Sequence, residues 1–168
     1  MVTMNDLWGS HPTNTGEQYP CRTNGSSNFA NQCAIRMGLC LKRAGIAPGQ
    51  LRGAITCAQA MATGHAHDEM HYIRAHELAN AINSASLPGV GPRYILKTPN
   101  DFANELGGRK GIIYFRHYWW RTTDTVRPTG DHIDIWNGWR TTAKVLLPWF
   151  NWLGGYNRSG EIWFWDVK

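Results

Sequence analysis

Apolar residues recur at helical spacing over residues 34–44, where Ala34, Met37, Leu41 and Ala44 mark one stripe of a helix turned toward a core. Asn28 and Asn31 precede the stripe as N-cap side chains, and Gly45 with Pro48 ends it. A second helix is expected over residues 69–84, with Met70, Ile73, Leu78, Ala81 and Ile82 as its apolar positions. Pro88-Gly89-Val90-Gly91-Pro92 breaks the chain after it, and a short helix runs from Asn100 to Leu106 before Gly107-Gly108. From there the period shortens to that of strands, predicted over 111–117, 132–136 and 161–167. In the first strand Ile112 and Tyr114 share one face while Ile113 and Phe115 share the other, as in a central strand covered on both sides. Asn137-Gly138 is a turn signal. Residues 1–27, rich in Gly, Ser, Thr, Asn and Pro, read as an irregular lead-in, and 49–64 show no clear period. Helices followed by hairpin-connected strands predict an α+β fold with an antiparallel sheet, built as one domain over residues 1–168.

Cys33 falls on the opening turn of the first long helix, where the helix dipole favours thiolate, the nucleophilic form. His132 opens a strand far along the chain, and Asp134 follows two residues later on the same face. A helix-borne cysteine preceding a strand-borne histidine is the order of papain-like cysteine hydrolases. In that reading Cys33 attacks, His132 is the base, and Asp134 orients the imidazole, with the amide of Asn137 as the alternative third member. This chemistry needs no metal and no organic cofactor. His117 is the rival base, although Tyr118-Trp119-Trp120 beside it suggests packing or a loop rim. Trp119 and Trp120, opening the long loop before His132, are candidates for the substrate cleft. Arg36, Arg121 and Arg127 offer partners for substrate carboxylates, and Arg36 equally suits a structural salt bridge. His65, His67 and His71 read as solvated histidines. The competing reading is a zinc-dependent hydrolase, since His67 and His71 would stand one turn apart on a helix.

Composition narrows the setting. A net charge of +5 and a pI near 9.2 favour an anionic environment: nucleic acid, a membrane surface or an acidic wall polymer. No block of Lys or Arg occurs, which argues against nucleic acid, and no apolar run approaches the ~20 residues of a bilayer span. The first residues carry neither a basic leader nor an apolar run, so no conventional signal peptide is expected and export would need another machine. Four cysteines do not make a disulfide scaffold at this length. With Cys33 free, at most one bridge can form among Cys21, Cys40 and Cys57, and Cys40 reads as a small core residue. Nine tryptophans also admit a different class of function, a non-catalytic cell-wall-binding module.

Four segments carry a family resemblance: Asn31-Gln32-Cys33-Ala34-Ile35-Arg36-Met37, Gly108-Arg109-Lys110-Gly111-Ile112-Ile113, Gly130-Asp131-His132-Ile133-Asp134-Ile135-Trp136-Asn137-Gly138 and Ile162-Trp163-Phe164. In this order and spacing the chain resembles the type VI secretion amidase effectors of the fourth amidase family, over about residues 29–165. The resemblance implies a compact papain-like fold similar to that of NlpC-type cell-wall peptidases. It implies hydrolysis of the amide between D-glutamate and meso-diaminopimelate in peptidoglycan stem peptides. It further implies delivery by a type VI secretion component into the periplasm of a target bacterium, and a cognate immunity protein. One feature departs from the family pattern, in which the orienting Asp lies on the loop after Trp-Asn-Gly near a pair of cysteines. This chain has no acidic residue between Asp134 and Glu161 and no cysteine there, so the third position stays open between Asp134 and Asn137.

Overall fold

The computed structural model describes residues 1–61, 67–143 and 155–168. Among them the sheet is formed by β3 (Val90–Ile95), β4 (Gly111–Trp119), β5 (Gly130–Trp136) and β6 (Glu161–Val167), ordered β3-β6-β4-β5 with every pairing antiparallel. Both faces of β4 are covered. Ile112 and Tyr114 join Ile133, Ile135, Trp163 and Trp165 beneath the helices, while Ile113 and Phe115 pack with Trp136, Phe164, Phe102 and Tyr156 on the other side. This is the α+β arrangement that the alternating pattern predicts.

The first long helix of the pattern is α3 (Cys33–Arg43), which packs along β5 at the sheet edge. Its N-cap is Gln32 and not an asparagine. The Gln32 amide makes no cap bond; it is buried and turned back onto the preceding segment. The second long helix, α5 (Ala75–Ser84), starts six residues later than the apolar pattern suggests. Glu69 and Met70 instead lie in a turn, and the chain from Met70 to Tyr72 crosses α3, bridged to the 55–57 backbone through Thr56 and Tyr72. Gly38 permits the crossing, because a Cβ there would lie 2.0 Å from the Met70 carbonyl oxygen. Between these helices lies α4 (Cys57–Met61), and α6 (Phe102–Leu106) precedes β4.

Two further expectations are corrected. Residues 1–27 are not irregular throughout: they form α1 (Met4–Ser10), α2 (Pro12–Thr15) and a hairpin of β1 (Arg22–Thr23) with β2 (Ser26–Ser27). Thr3 and Asp6 make a reciprocal capping box that starts α1, and Met4 and Leu7 enter the core. The Pro88–Pro92 break leads directly into β3, an edge strand, where the missing N–H of Pro92 and a register shift between Val90 and Arg93 are tolerated.

Candidate active site

The first residue of α3 is Cys33, and β5 carries His132 and Asp134 opposite Phe115 and Ile113 of β4. Because β5 is the edge strand, the start of α3 reaches His132 without another strand intervening. His132 Nε2 lies 3.3 Å from Asp134 Oδ2, which leaves Nδ1 as the nitrogen for the thiol. Burial pushes the Cys33 thiol up, but its hydrogen bond to His132, the imidazolium charge and the Ile133 N–H together hold it below the ordinary thiol value. Burial acts against the His132 charge as well, yet the bonds to Asp134 and Cys33 raise it to about 9. Asp134 resists burial through His132, His11 and Thr142 and falls to about 2. The row therefore biases the Cys33 thiol toward thiolate beside a protonated imidazole and an ionised carboxylate.

Asp134 is itself held. Its Oδ1 accepts from Thr142 Oγ1 at 2.5 Å and from the Ile135 N–H at 2.8 Å, and the residue is 3% exposed. Asn137 lies in the following turn, where its Oδ1 accepts from the N–H groups of Trp139 and Arg140. Of the two alternatives for the third member, the structure brings Asp134 to the imidazole. His117 stands away from the thiol, at the bulge of β4 with φ 54°, its N–H bonded to Asp131 and its ring beside Gly160.

A cleft of about 610 Å³ opens over Cys33 and His132, lined also by Arg36, Tyr118, Trp119 and Tyr156. It continues past Cys33 and Trp119 into a second hollow of about 920 Å³ bearing Arg74, Glu77 and Arg121. Trp119 thus serves both halves. Gly130, its cross-strand partner, leaves the room: a Cβ there would lie 2.3 Å from the Trp119 ring. Trp120 is 55% exposed and lines neither hollow. Arg36 faces the cleft and donates to the Gln18 carbonyl at 2.8 Å.

Several residues at the site carried no sequence signal. Tyr156 stacks on the His132 ring at 5.6 Å between centroids, and Tyr118 leans on it from another side. His11, 2% exposed, sets its Nε2 3.8 Å from Asp134 Oδ1, while its Nδ1 accepts from the Thr13 N–H. Burial, opposed by Asp134, lowers His11 to about 4, so it stays neutral and turns an N–H toward the carboxylate. Neither the short helices of the lead-in nor the length of the chain between His11 and Asp134 could have announced this contact.

The helical pairing of His67 and His71 in the zinc-hydrolase reading is not found, and His71 is buried and not solvated. His67 and His71 precede α5, and His65 lies outside the described residues. His67 and His71 gather instead with Cys21 and Cys57, all four offering ligand atoms within 4.8 Å of one another. The described cysteines are free thiols, and Cys40 donates to the Leu7 carbonyl within the core, where burial pushes it up to about 12.

A profile of the family described as type VI secretion system amidase effector protein 4 matches residues 29–165. Two solved structures share the fold. The effector Tae4 from Salmonella typhimurium in complex with the immunity Tai4 from Enterobacter cloacae has a TM-score of 0.59 at 18% identity, covering 99% of each chain. The Tae4/Tai4 effector–immunity system of Salmonella typhimurium has a TM-score of 0.60 at 18% identity, covering 100% of this chain and 99% of the other. No curated protein sequence matches significantly.

Proposed function

This chain belongs to the type VI secretion system amidase effector 4 family, and from that premise we propose that it is a cysteine amidase cutting the D-glutamyl–meso-diaminopimelate amide of peptidoglycan stem peptides. The observation that carries the reading is the row Cys33, His132, Asp134 at the base of the cleft, with a lowered thiol and a raised imidazole. Cys33 thiolate attacks the amide carbon, and the C–S bond forms as the carbonyl oxygen takes negative charge. The Cys33 N–H, at the start of α3 where helical donors lack internal partners, is one donor to that oxyanion. The Gln32 amide is not a second donor, because its oxygen accepts from Cys21 and its nitrogen donates to Cys21, Ser27 and Phe29. His132 gives its proton to the departing diaminopimelate amine as the C–N bond breaks. It then takes a proton from water, whose oxygen attacks the thioester and restores the thiolate.

The stem peptide carries carboxylates on both sides of the scissile amide. Arg36 in one half of the cleft and Arg121 in the other are placed to meet them, with Trp119 as the apolar wall between. Trp120, outside the lining, has no role in this reading. Action in the periplasm of a target bacterium, a delivery component of the secretion apparatus and a cognate immunity protein complete the proposal. The Salmonella Tae4 in complex with the Enterobacter cloacae immunity Tai4 supports the last of these.

Mass spectrometry of sacculi digested by the protein tests the reading. It predicts fragments ending in D-glutamate and fragments beginning with a free diaminopimelate amine. Cuts confined to the glycan strands or to the cross-links would reject the assigned bond, and binding without any cut would favour the wall-binding module.

A further inference from the structure

We propose that Cys21, Cys57, His67 and His71 form a structural zinc site, separate from the catalytic cleft, that ties the N-terminal segment, the start of α4 and the 67–71 segment to the start of the nucleophile helix. Four ligands arrive from distant parts of the chain: Cys21 just before β1, Cys57 as the first residue of α4, and two histidines from the segment ahead of α5. Their ligand atoms all lie within 4.8 Å of one another. Cys21 Sγ stands 3.7 Å from His67 Nδ1, and Cys57 Sγ stands 3.8 Å from His71 Nδ1. A tetrahedral zinc ion with ordinary Zn–S and Zn–N bonds requires sulfur–nitrogen edges of about 3.6 Å. These two edges already match an ion, and the wider separations, up to 4.8 Å, contract on binding it.

Chemistry and burial select the metal. Two thiolates and two imidazoles in a compact set suit zinc, whereas magnesium, calcium and manganese call for oxygen. Both cysteines are fully buried and His71 is 6% exposed, so two thiolates there require a dication to balance them. Three residues separate His67 from His71, within the usual spacing for a histidine pair on structural zinc. Four protein ligands leave no open position for water, which makes the site structural and not hydrolytic. The Asn28 amide nitrogen lies 3.4 Å from both Cys21 Sγ and His67 Nε2, where outer partners of a metal site usually stand.

The site also reaches the nucleophile. Cys21 exchanges two hydrogen bonds with the Gln32 side chain, N–H to Oε1 at 2.8 Å and carbonyl from Nε2 at 2.9 Å. Gln32 directly precedes Cys33. An ion holding Cys21 thus steadies the residue that sets the backbone of the nucleophile.

Chelator-stripped, reduced, full-length protein titrated with cobalt(II) tests the proposal. The expected result is one tetrahedral cobalt per chain, seen as strong ligand-field bands with a thiolate charge-transfer band, displaced by one equivalent of zinc. Cys33→Ala should keep the full signal, and Cys57→Ser should lose much of the thiolate band. The wild-type and Cys33→Ala titrations decide the matter even where Cys57→Ser does not fold. A featureless cobalt spectrum in the wild type, a signal lost in Cys33→Ala, or a Cys21–Cys57 disulfide in protein taken from a reducing cytoplasm would each overturn the site.

Discussion

Asp134 serves three partners from one buried carboxylate: Oδ2 faces His132, while Oδ1 accepts from Thr142 and the Ile135 N–H. Strand neighbours two apart point the same way but stand roughly parallel, and these anchors lean the carboxylate onto the ring. Asp134→Asn should therefore lower turnover by about a hundredfold, since an amide cannot stabilise the imidazolium by charge. Asn137→Ala, altering only the turn, should change it little, and steady-state kinetics on a muropeptide compare the two. The pH profile follows from the same row. With His132 raised to about 9, activity should fall above that pH as the imidazolium loses the proton needed by the leaving amine. Its contribution to stability has the matching sign, complete below the unfolded value of 6.5 and lost as pH rises through about 9. His11 works in the opposite sense. Lowered to about 4, it binds fewer protons folded than unfolded between there and 6.5, so stability should fall by on the order of 3 kcal/mol as pH drops through that window. Denaturant titrations should show a shallower acid slope for His11→Gln. An unchanged slope would remove His11 from the buried pair with Asp134.

At the scale of elements, the crossing of the Met70–Tyr72 segment over α3 rests on one absent side chain. A methyl at Gly38 would meet the Met70 carbonyl at 2.0 Å and the Tyr72 ring at 2.8 Å. Gly38→Ala should cost about 2–3 kcal/mol, read as a lowered denaturation midpoint. This crossing also explains what the pattern of residues could and could not tell. Met70 and Ile73 are spaced as a helix would space them, yet 68–71 close a turn through the His71 N–H to the Asp68 carbonyl, and His71 and Ile73 bond to the 55–57 backbone. Cys33, His132 and the alternation in β4 were legible, since a helix start and a half-period strand each leave a local mark. The lead-in was not. Helices of seven and four residues present too few turns to show a period, and Gly91-Pro92 hides an edge strand. His11, Tyr118, Tyr156 and the Cys21–Cys57 pairing with two histidines are made only by long-range packing.

Across the whole molecule, the cleft and the metal cluster share the Gln32–Cys33 junction but divide the labour between reaction and scaffold. Chelation should lower the melting temperature of the zinc-loaded protein, while cleavage by the still-folded fraction continues, because the attacking group is a thiolate and not a metal-bound hydroxide. Differential scanning fluorimetry paired with muropeptide assays separates the two effects. The net charge of +5 adds a long-range pull toward an anionic wall. Association with sacculi should accordingly weaken as salt rises, whereas turnover of a small soluble muropeptide should respond far less.

The central claim is that Cys33 carries amide hydrolysis, and the most direct measurement compares wild type and Cys33→Ala on a purified stem-peptide muropeptide, with folding checked by circular dichroism. The side chain lines the cleft, so its loss leaves the fold intact while removing the sulfur that forms the thioester. The account predicts a native spectrum with no detectable release of the diaminopimelate amine from the variant. Hydrolysis at the wild-type bond by Cys33→Ala protein would contradict it.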